Sequence, residues 1–539
     1  MTPSKKHKPA FAKGASGKAL EKHLKSFRNA ELCCQEGEKL LQKGGTEVAL
    51  RFFQRAVQLD SRSMHGWFGQ GMAFTRLEEF AESIKYFRKV IKLGPKLDIA
   101  HHNLGRSLHE TGQADSAYQC FSTAIDLGLE SSRKDMAVIV PGFPSASNST
   151  VLLERSKWAD GVLRSAEVGA KKDCVKRDKT KTRLKIAYVS AFFHRQNWMK
   201  PVWGLVGQHD REKFEIHLFS DRTKLTPEIE IFLEPGDRFH DMSQLSNKEA
   251  ADLIHAQGID ILVDLNGYSY PERFPIFLEK PAALIVGWFN MYATTGFSCF
   301  DYLIGDDCVI PPEEEQHYCE KIVRVDGSYL TFTVGYNVPD VSEPPCIATG
   351  FVTFGSLISQ YKITDQVIDT WCEILHQSPG SRLLIRNAFL GKASNRRFLE
   401  ARFRNNGIAG ERISLQGPAD HYQFLETYNQ IDVALDAFPY NGGTTTTEAI
   451  WQGVPVVTYR GDRWVSRTSA TLLRYAGLET LVAKDQTDYI RLATELAGDP
   501  ERLVTMRREM RDKLSGSKVC DTADFARSME KLYLEIWQA

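Results

Sequence analysis

Apolar positions near the start of the chain recur with a helical period, and the pattern repeats 34 residues later. Gly37, Gly71 and Gly105 fall in register on that step, as do Ala49, Ser83 and Ala117, then Phe53, Phe87 and Phe121, then Ala56, Val90 and Ala124. Small and aromatic columns in three copies predict paired helices. The small residues sit where two helices of a hairpin cross closely, and the Phe fills the gap between neighbouring hairpins. Trp67 and Pro95 complete the middle copy. Residues 29–131 are therefore expected to form an α-solenoid, because one hairpin alone cannot bury its apolar face.

The pattern then changes twice. Residues 132–182 read as a connector, with a turn-rich stretch at Pro141–Thr150, a helix over about 151–168 and a basic run from Lys171 to Arg183. From Arg183 onward, short apolar runs alternate with helical stretches such as Asn247–Gln257. Strands are expected at Leu184–Ala191, Phe214–Ser220, Ile259–Leu265, Ala283–Phe289 and Tyr302–Gly305. A Pro- and acid-rich break covers 337–349. A second series follows at Gly350–Gly355, Arg382–Arg386, Arg412–Gln416, Asp432–Ala437 and Pro455–Thr458. This βαβ order predicts two Rossmann-like halves, 183–336 and 350–539, with mostly parallel sheets and a ligand cleft between them.

Composition narrows the function. Lys plus Arg is 68 and Asp plus Glu is 68, so a neutral chain gives no electrostatic case for nucleic acid as a partner. The exception is residues 1–28, where seven Lys and one Arg stand against Glu21 alone. They read as a disordered basic tail. No apolar run reaches the roughly 18–20 residues of a membrane span, and the basic start is not followed by a signal-like apolar core. The 10 Cys are scattered, with no CxxC pair and no Cys/His cluster at zinc spacing, which suggests free thiols in a reducing cytoplasm. No GxxxxGK[ST] loop occurs and no GxGxxG follows the first strand, so ATP hydrolysis and NAD chemistry lack motif support.

Three segments carry candidate chemistry. In Leu435–Thr458 a strand ends near Asp436, then Gly442 and Gly443 turn the chain into a helix opened by Thr444, Thr445, Thr446 and Thr447. Unpaired amides at a helix start, with hydroxyls beside them, can hold a diphosphate, and Gly-Gly lets the backbone approach it. Glu448, one turn in, can accept hydrogen bonds from a ribose. The plainer alternative is a Thr-rich capped helix. In Gly350–Thr364 a strand enters a Gly/Ser turn and Lys362 precedes the next helix. There its charge can neutralise a leaving pyrophosphate, or it is simply solvated. In Pro418–Tyr422, His421 can contact a base or phosphate, or Asp420 merely caps a helix. Arg467 can reach the cleft or form a surface salt bridge.

These segments resemble the protein O-GlcNAc transferase and SPINDLY family, in which tetratricopeptide repeats precede two Rossmann-like lobes of a GT-B glycosyltransferase. Gly350-Phe-Val-Thr-Phe-Gly-Ser with Lys362-Ile-Thr, Phe438-Pro-Tyr with Gly443-Thr-Thr-Thr-Thr, and Leu481-Val-Ala-Lys484 look closest to the SPINDLY branch. The resemblance implies that Lys362, Thr444 and Thr445 contact the donor diphosphate and that Glu448 binds the donor ribose. It implies no cofactor and no metal, the lysine and the helix end taking that role. It makes 183–336 the acceptor lobe and 350–539 the nucleotide-sugar lobe.

The chain departs from the family after its first strand, where Ala191–Pro201 replaces a His-rich loop. Gln196 stands where a family His is expected, and Lys200 replaces a second one. His194 is shifted. His255 matches a family His, with Asp252 one turn before it. Both histidines are candidates for a catalytic base or ordinary structural residues.

The expected activity is inverting, metal-independent transfer of a sugar from a nucleoside diphosphate sugar, UDP-GlcNAc first, to Ser or Thr of a polypeptide held by the repeats in the cytoplasm. The alternatives are a protein O-fucosyltransferase using GDP-fucose, a hexosyltransferase using UDP-glucose, a nucleotide-sugar epimerase and an inactive repeat scaffold.

Overall fold

A computed structural model describes residues 17–165, 175–195 and 198–539. The chain divides into two units. The smaller comprises Met1–Ser132, Ser359–Ile368 and Arg386–Pro418. The larger comprises Arg133–Ile358, Asp369–Ile385 and Ala419–Ala539.

The smaller unit is built on helices α1 (Gly17–Ser26), α2 (Ala30–Gln42), α3 (Thr46–Leu59), α4 (Met64–Arg76), α5 (Phe80–Leu93), α6 (Asp98–Glu110) and α7 (Ala114–Asp126). α2–α3, α4–α5 and α6–α7 are the three expected hairpins. Each repeat Phe packs on the Gly of its own hairpin, so closely that a Cβ on Gly37, Gly71 or Gly105 would lie 2.7, 2.6 or 3.2 Å from Phe53, Phe87 or Phe121. Phe53 also meets Gly69 of the next hairpin, so it fills both the crossing and the gap beyond it. The hairpin turns repeat on the same 34-residue step, with left-handed backbone at Gly44 (φ +79°), Glu78 (φ +60°) and Gly112 (φ +81°).

Two expectations at the start of the chain are revised. Gly17–Ser26 is helical and Leu24 is buried in the first hairpin's core, so the expected basic tail 1–28 does not extend to residue 28. Residues 1–16 lie outside the described residues. The repeats also do not stand alone as 29–131. Asn395, on the helix Ala393–Asn405, accepts from Ala81 N at 3.1 Å and donates to Glu78 O at 2.8 Å, and Phe389 meets Phe80 edge-on at 4.9 Å.

The connector forms the helices Ser132–Ile139, which belongs to the larger unit from Arg133 on, and Asn148–Ser165, the second close to the expected span. Its first lobe has strands β1 (Leu184–Ser190), β2 (Phe214–Ser220), β3 (Arg238–Asp241), β4 (Ile261–Asp264), β5 (Leu284–Gly287), β6 (Tyr302–Gly305) and β7 (Lys321–Arg324). They form one sheet in the order β3-β2-β1-β4-β5-β6-β7, parallel throughout. Tyr188 is paired with Leu218 on one side and Val263 on the other. The second lobe has β8 (Thr353–Ser356), β9 (Arg382–Arg386), β10 (Ile413–Gln416), β11 (Val433–Leu435), β12 (Val456–Tyr459) and β13 (Val482–Ala483). Within the larger unit these run β9-β8-β11-β12-β13, again parallel. This is the GT-B pattern of two parallel α/β lobes.

Ten strands fall where the apolar runs place them. β3 and β7 do not come from apolar runs, because each is an edge strand of mixed polarity, Arg-Phe-His-Asp and Lys-Ile-Val-Arg, and β13, Val-Ala, is only two residues long. The expected linker 337–349 ends in a short helix, Pro345–Thr349. The last helix, Thr522–Gln538, returns to the first lobe rather than ending the second. Glu530 Oε1 accepts from Asp210 N at 2.7 Å and lies 3.0 Å from His209 Nδ1, and the Tyr533 and Tyr188 hydroxyls are 3.1 Å apart. No described helix is long and apolar enough to cross a membrane.

Candidate donor site

The strand-to-helix turn after β11 is organised by Asp436. One carboxylate oxygen accepts from Ala437 N and Gly442 N at 2.9 and 2.8 Å, and the other accepts from the Thr458 hydroxyl at 2.7 Å. Gly442 is required by space, since a Cβ there would lie 2.6 Å from Thr446 Oγ1 and 2.7 Å from Thr445 Oγ1. The helix Thr444–Trp451 starts from Gly443 without a side-chain cap. Its hydroxyls divide. Thr446 bonds Ser469 Oγ at 2.8 Å and Thr447 donates to Thr444 O at 2.9 Å, whereas the Thr444 and Thr445 hydroxyls have no protein partner among the described residues. Thr446, expected as a donor ligand, spends its hydroxyl on structure. Thr444 and Thr445 keep theirs at the positive end of the helix.

Glu448 is the centre of a buried cluster that joins the two lobes. Lys200 Nζ donates to Glu448 Oε1 at 2.7 Å, and His421 Nε2 lies 2.9 Å from the same oxygen. Both acid and lysine side chains are less than 5% exposed. Lys200 begins the helix Lys200–Val206 of the first lobe, donates to Tyr336 Oη at 2.5 Å and sits over the Tyr336 ring at 4.2 Å. The His421 and Tyr336 rings are 4.8 Å apart. His421 opens the helix His421–Glu426, whose N-cap is Asp420, bonded to Gln423 N at 2.9 Å. The Asp420 cap is thus present, and His421 beside it lines a cavity. Burial alone would raise the Glu448 carboxyl, but the hydrogen bond from His421 and the Lys200 charge outweigh it and hold it below the ordinary carboxylate range.

Two cavities meet at this cluster. The outer, about 410 Å3, is lined by Trp198, Ala419, His421, Phe424, Thr444 and Glu448. The inner, about 40 Å3, is lined in part by Lys200, Phe289, Tyr292, Thr331 and Gly443, and Trp198 and Thr444 line both. Two first-lobe loops shape the inner one. Asn266 Oδ1 accepts from Ala191 N at 2.7 Å, which anchors the loop after β1. Asp264 in turn accepts from Asn266 N and Gly267 N at 2.9 and 3.2 Å, and burial pushes its carboxyl up to about 7. After β5, Phe289, Asn290 and Tyr292 have left-handed φ of 50°, 55° and 56°, a strained run for non-glycine residues at the cavity wall.

The remaining candidates lie elsewhere. Arg467 is committed, with both Nη atoms on Glu314 at 2.9 and 2.6 Å and Nε on Gly461 O at 3.0 Å. It forms a salt bridge as the blander reading expects, but a buried one, and it is withdrawn from the donor contacts. His194 and His255 line neither cavity, and His255 stands half-buried in the last turn of the helix Asn247–Ala256. Burial, aided by the charges of Arg222 and Arg195, pulls the His194 imidazole below its ordinary range. Gln196 lies outside the described residues. Lys362 is in the smaller unit, on the turn Gln360–Lys362. There the His109 ring stacks on Tyr361 at 5.1 Å, and Arg402 Nη1 donates to Thr111 O at 3.1 Å and Ile363 O at 3.0 Å. Sequence reasoning missed Trp198, Tyr336 and Phe424 as site residues, and met Lys200 only as a departure from the family.

The profile of glycosyl transferase family 41 matches residues 162–338 and 345–529, and that of the tetratricopeptide repeat matches residues 65–96. The chain is 30% identical over 361 residues to the probable UDP-N-acetylglucosamine–peptide N-acetylglucosaminyltransferase SPINDLY of Solanum lycopersicum, a match covering 66% of this chain and 39% of that protein. It is 28% identical over 380 residues to the probable enzyme of the same description named SEC from Arabidopsis thaliana, covering 67% and 38%. The chain thus spans about two fifths of the length of these curated relatives. A solved mutant of the Thermobaculum terrenum O-GlcNAc transferase superposes with a TM-score of 0.80 at 28% identity, covering 94% of this chain and 97% of that one. The parallel lobes, the Gly-Gly-Thr helix start with Glu448 beneath it and the profile matched over both lobes agree: the chain belongs to glycosyl transferase family 41.

Proposed function

We propose that this protein is an inverting, metal-independent protein O-glycosyltransferase that moves GlcNAc from UDP-GlcNAc to a Ser or Thr hydroxyl of a polypeptide, with the acceptor chain held by the repeats. The observation that carries the reading is the outer cavity. It combines a charged acceptor, Glu448, with the aromatic walls Trp198 and Phe424 and the imidazole of His421, at a helix start whose first two hydroxyls are uncommitted. That set suits a nucleoside diphosphate: stacking for the base, a carboxylate for the ribose diol, and hydroxyls and amides for the phosphates.

In the proposed reaction the acceptor oxygen attacks the anomeric carbon from the face opposite the diphosphate. The carbon–oxygen bond to the diphosphate breaks, its electron pair leaves with the phosphate, and the hydroxyl proton is lost as the new glycosidic bond forms. The single displacement inverts the anomeric centre. Charge grows on the departing diphosphate, and the helix start and Lys362 are the groups assigned to receive it. Loss of one preorganised partner of this kind costs about 3–4 kcal/mol, a hundredfold or more in rate. Neither His255 nor His194 is assigned as the base, since neither lines the cavities.

The test is the thermal midpoint of the full chain with UDP, GDP, ADP and CDP. A ligand that binds only the folded state adds about 2.7 kcal/mol at 100 times Kd. A UDP-selective rise that is lost in Lys362→Ala supports the reading. A GDP-selective rise replaces GlcNAc by fucose, and no rise with any nucleotide leaves a repeat scaffold without activity.

A further inference from the structure

The loop after β1 departs from the family, and the resemblance assigns it to the acceptor side. The structure sends one of its residues elsewhere. We propose that Lys200 is a positioning residue of the donor site, which holds Glu448 ionised and turned so that its second carboxylate oxygen meets the ribose diol of the nucleotide. This rests on the reading of Glu448 as the ribose acceptor.

Four observations carry it. Both protein hydrogen bonds to Glu448 land on Oε1, from Lys200 Nζ at 2.7 Å and from His421 Nε2 at 2.9 Å. Glu448 lines the outer cavity, so Oε2 is the oxygen left for a ligand. Lys200 is itself buried, and its Nζ is enclosed by the Phe332 and Tyr336 rings at 5.3 and 4.2 Å and bonded to Tyr336 Oη. A lysine is kept in such a place only against a partner charge, and Glu448 is that partner. Finally, the pair spans the lobes, so the first lobe completes a subsite that otherwise belongs to the second.

The physical consequence is specific to the diol. An ionised carboxylate fixed by two donors on one oxygen presents its other oxygen in one orientation. Without Lys200, the buried acid gains by taking a proton or by turning toward His421, and either change weakens acceptance from a sugar hydroxyl. Hydrogen bonds to charged groups are worth enough that losing this geometry should cost roughly ten- to a hundredfold in affinity. The loss should fall on ligands that carry the 2′-hydroxyl.

The experiment is calorimetric titration of the full chain with UDP, GDP and their 2′-deoxy counterparts, on wild type, Lys200→Met, Lys200→Arg and Glu448→Gln, with each variant's melting midpoint recorded. Lys200→Gln serves if Lys200→Met does not fold. The wild type is expected to prefer the ribonucleotide. Lys200→Met should bring the ribo and deoxy affinities to within about threefold of each other, chiefly by weakening the ribonucleotide, and Lys200→Arg should restore most of the preference. If Glu448→Gln abolishes the preference and Lys200→Met keeps it, the role of Lys200 is refuted while Glu448 stands. If Glu448→Gln keeps the preference, or the wild type shows none or binds no nucleotide, the ribose reading of Glu448 falls and Lys200's role falls with it. An equal loss for ribo and deoxy ligands in Lys200→Met also overturns the proposal, since it marks a general effect on the pocket.

Discussion

Gly112→Ala should damage the molecule more than the same change at Gly44, although the two residues occupy equivalent hairpin turns. Both have left-handed backbone, φ +81° and +79°. An alanine at either site meets the same conformational cost, about 1–2 kcal/mol. The surroundings differ. A Cβ on Gly44 would have nothing within 4 Å, whereas on Gly112 it would lie 2.2 Å from the Ile363 carbonyl oxygen and 2.9 Å from its carbon. Ordinary contact begins near 3.4 Å, so the Ile363 peptide must retreat by about an ångström. It cannot retreat freely, because Arg402 holds that oxygen at 3.0 Å. Forced overpacking of this kind costs about 1–3 kcal/mol more. The displaced peptide directly follows Lys362, so turnover should fall along with stability. Thermal midpoints and sugar-nucleotide hydrolysis rates of the full chain, measured on both variants, test this. Gly44→Ala should lower the midpoint modestly and leave hydrolysis near wild type, and Gly112→Ala should lower both, hydrolysis by tenfold or more. Equal midpoints and equal rates would refute the claim that the last repeat backs the Lys362 turn.

Other consequences are smaller. Glu78 occupies the third of these turn positions at φ +60°, so Glu78→Gly removes left-handed strain and should raise the thermal midpoint, by at most about 1 kcal/mol after the entropy of glycine is set against it. Thr446→Val strips a buried hydroxyl from Ser469 and should cost about 1–2 kcal/mol in denaturant melts with little change in nucleotide affinity, while Thr445→Val should do the reverse. Burial pulls the His109 imidazole down to about 4, and its Nδ1 is buried with no hydrogen-bond partner among the described residues. Between pH 6.5 and 4 the unfolded chain binds a proton at this residue that the folded chain refuses, so stability is full above that window and falls as pH drops through it, by up to about 1.4 kcal/mol per unit. His109→Phe keeps the ring on Tyr361 and should flatten that part of the stability–pH curve. An unchanged slope would mean another group titrates there.

Much of the architecture is legible in the residues because its signals are local. The repeat glycines and phenylalanines advertise themselves because each Gly exists to admit one ring, and buried parallel strands are continuous apolar runs. Edge strands such as Arg238–Asp241 and Lys321–Arg324 lack that signature because only one side is covered. The donor site divides along the same line. Gly442, Thr444, Thr445 and Glu448 lie within seven residues and were readable as a helix start. Lys200 is 248 residues from Glu448 in sequence, and nothing local announces that a lysine after a divergent loop will face an acid in the other lobe. Arg467 misled for the complementary reason, since its partner Glu314 lies 153 residues away. The packing of 386–418 with the repeats was equally hidden, because the contacts of Asn395 are to backbone atoms more than 300 residues distant.

The central claim is sugar transfer to protein. The most direct measurement is mass spectrometry of a mixed Ser/Thr peptide pool after incubation of the full chain with isotopically labelled UDP-GlcNAc, beside identical reactions with GDP-fucose and UDP-glucose. The account predicts labelled GlcNAc on peptide hydroxyls, formed together with free UDP and reduced a hundredfold or more in Lys362→Ala. The absence of both peptide modification and nucleotide release with all three donors would contradict it.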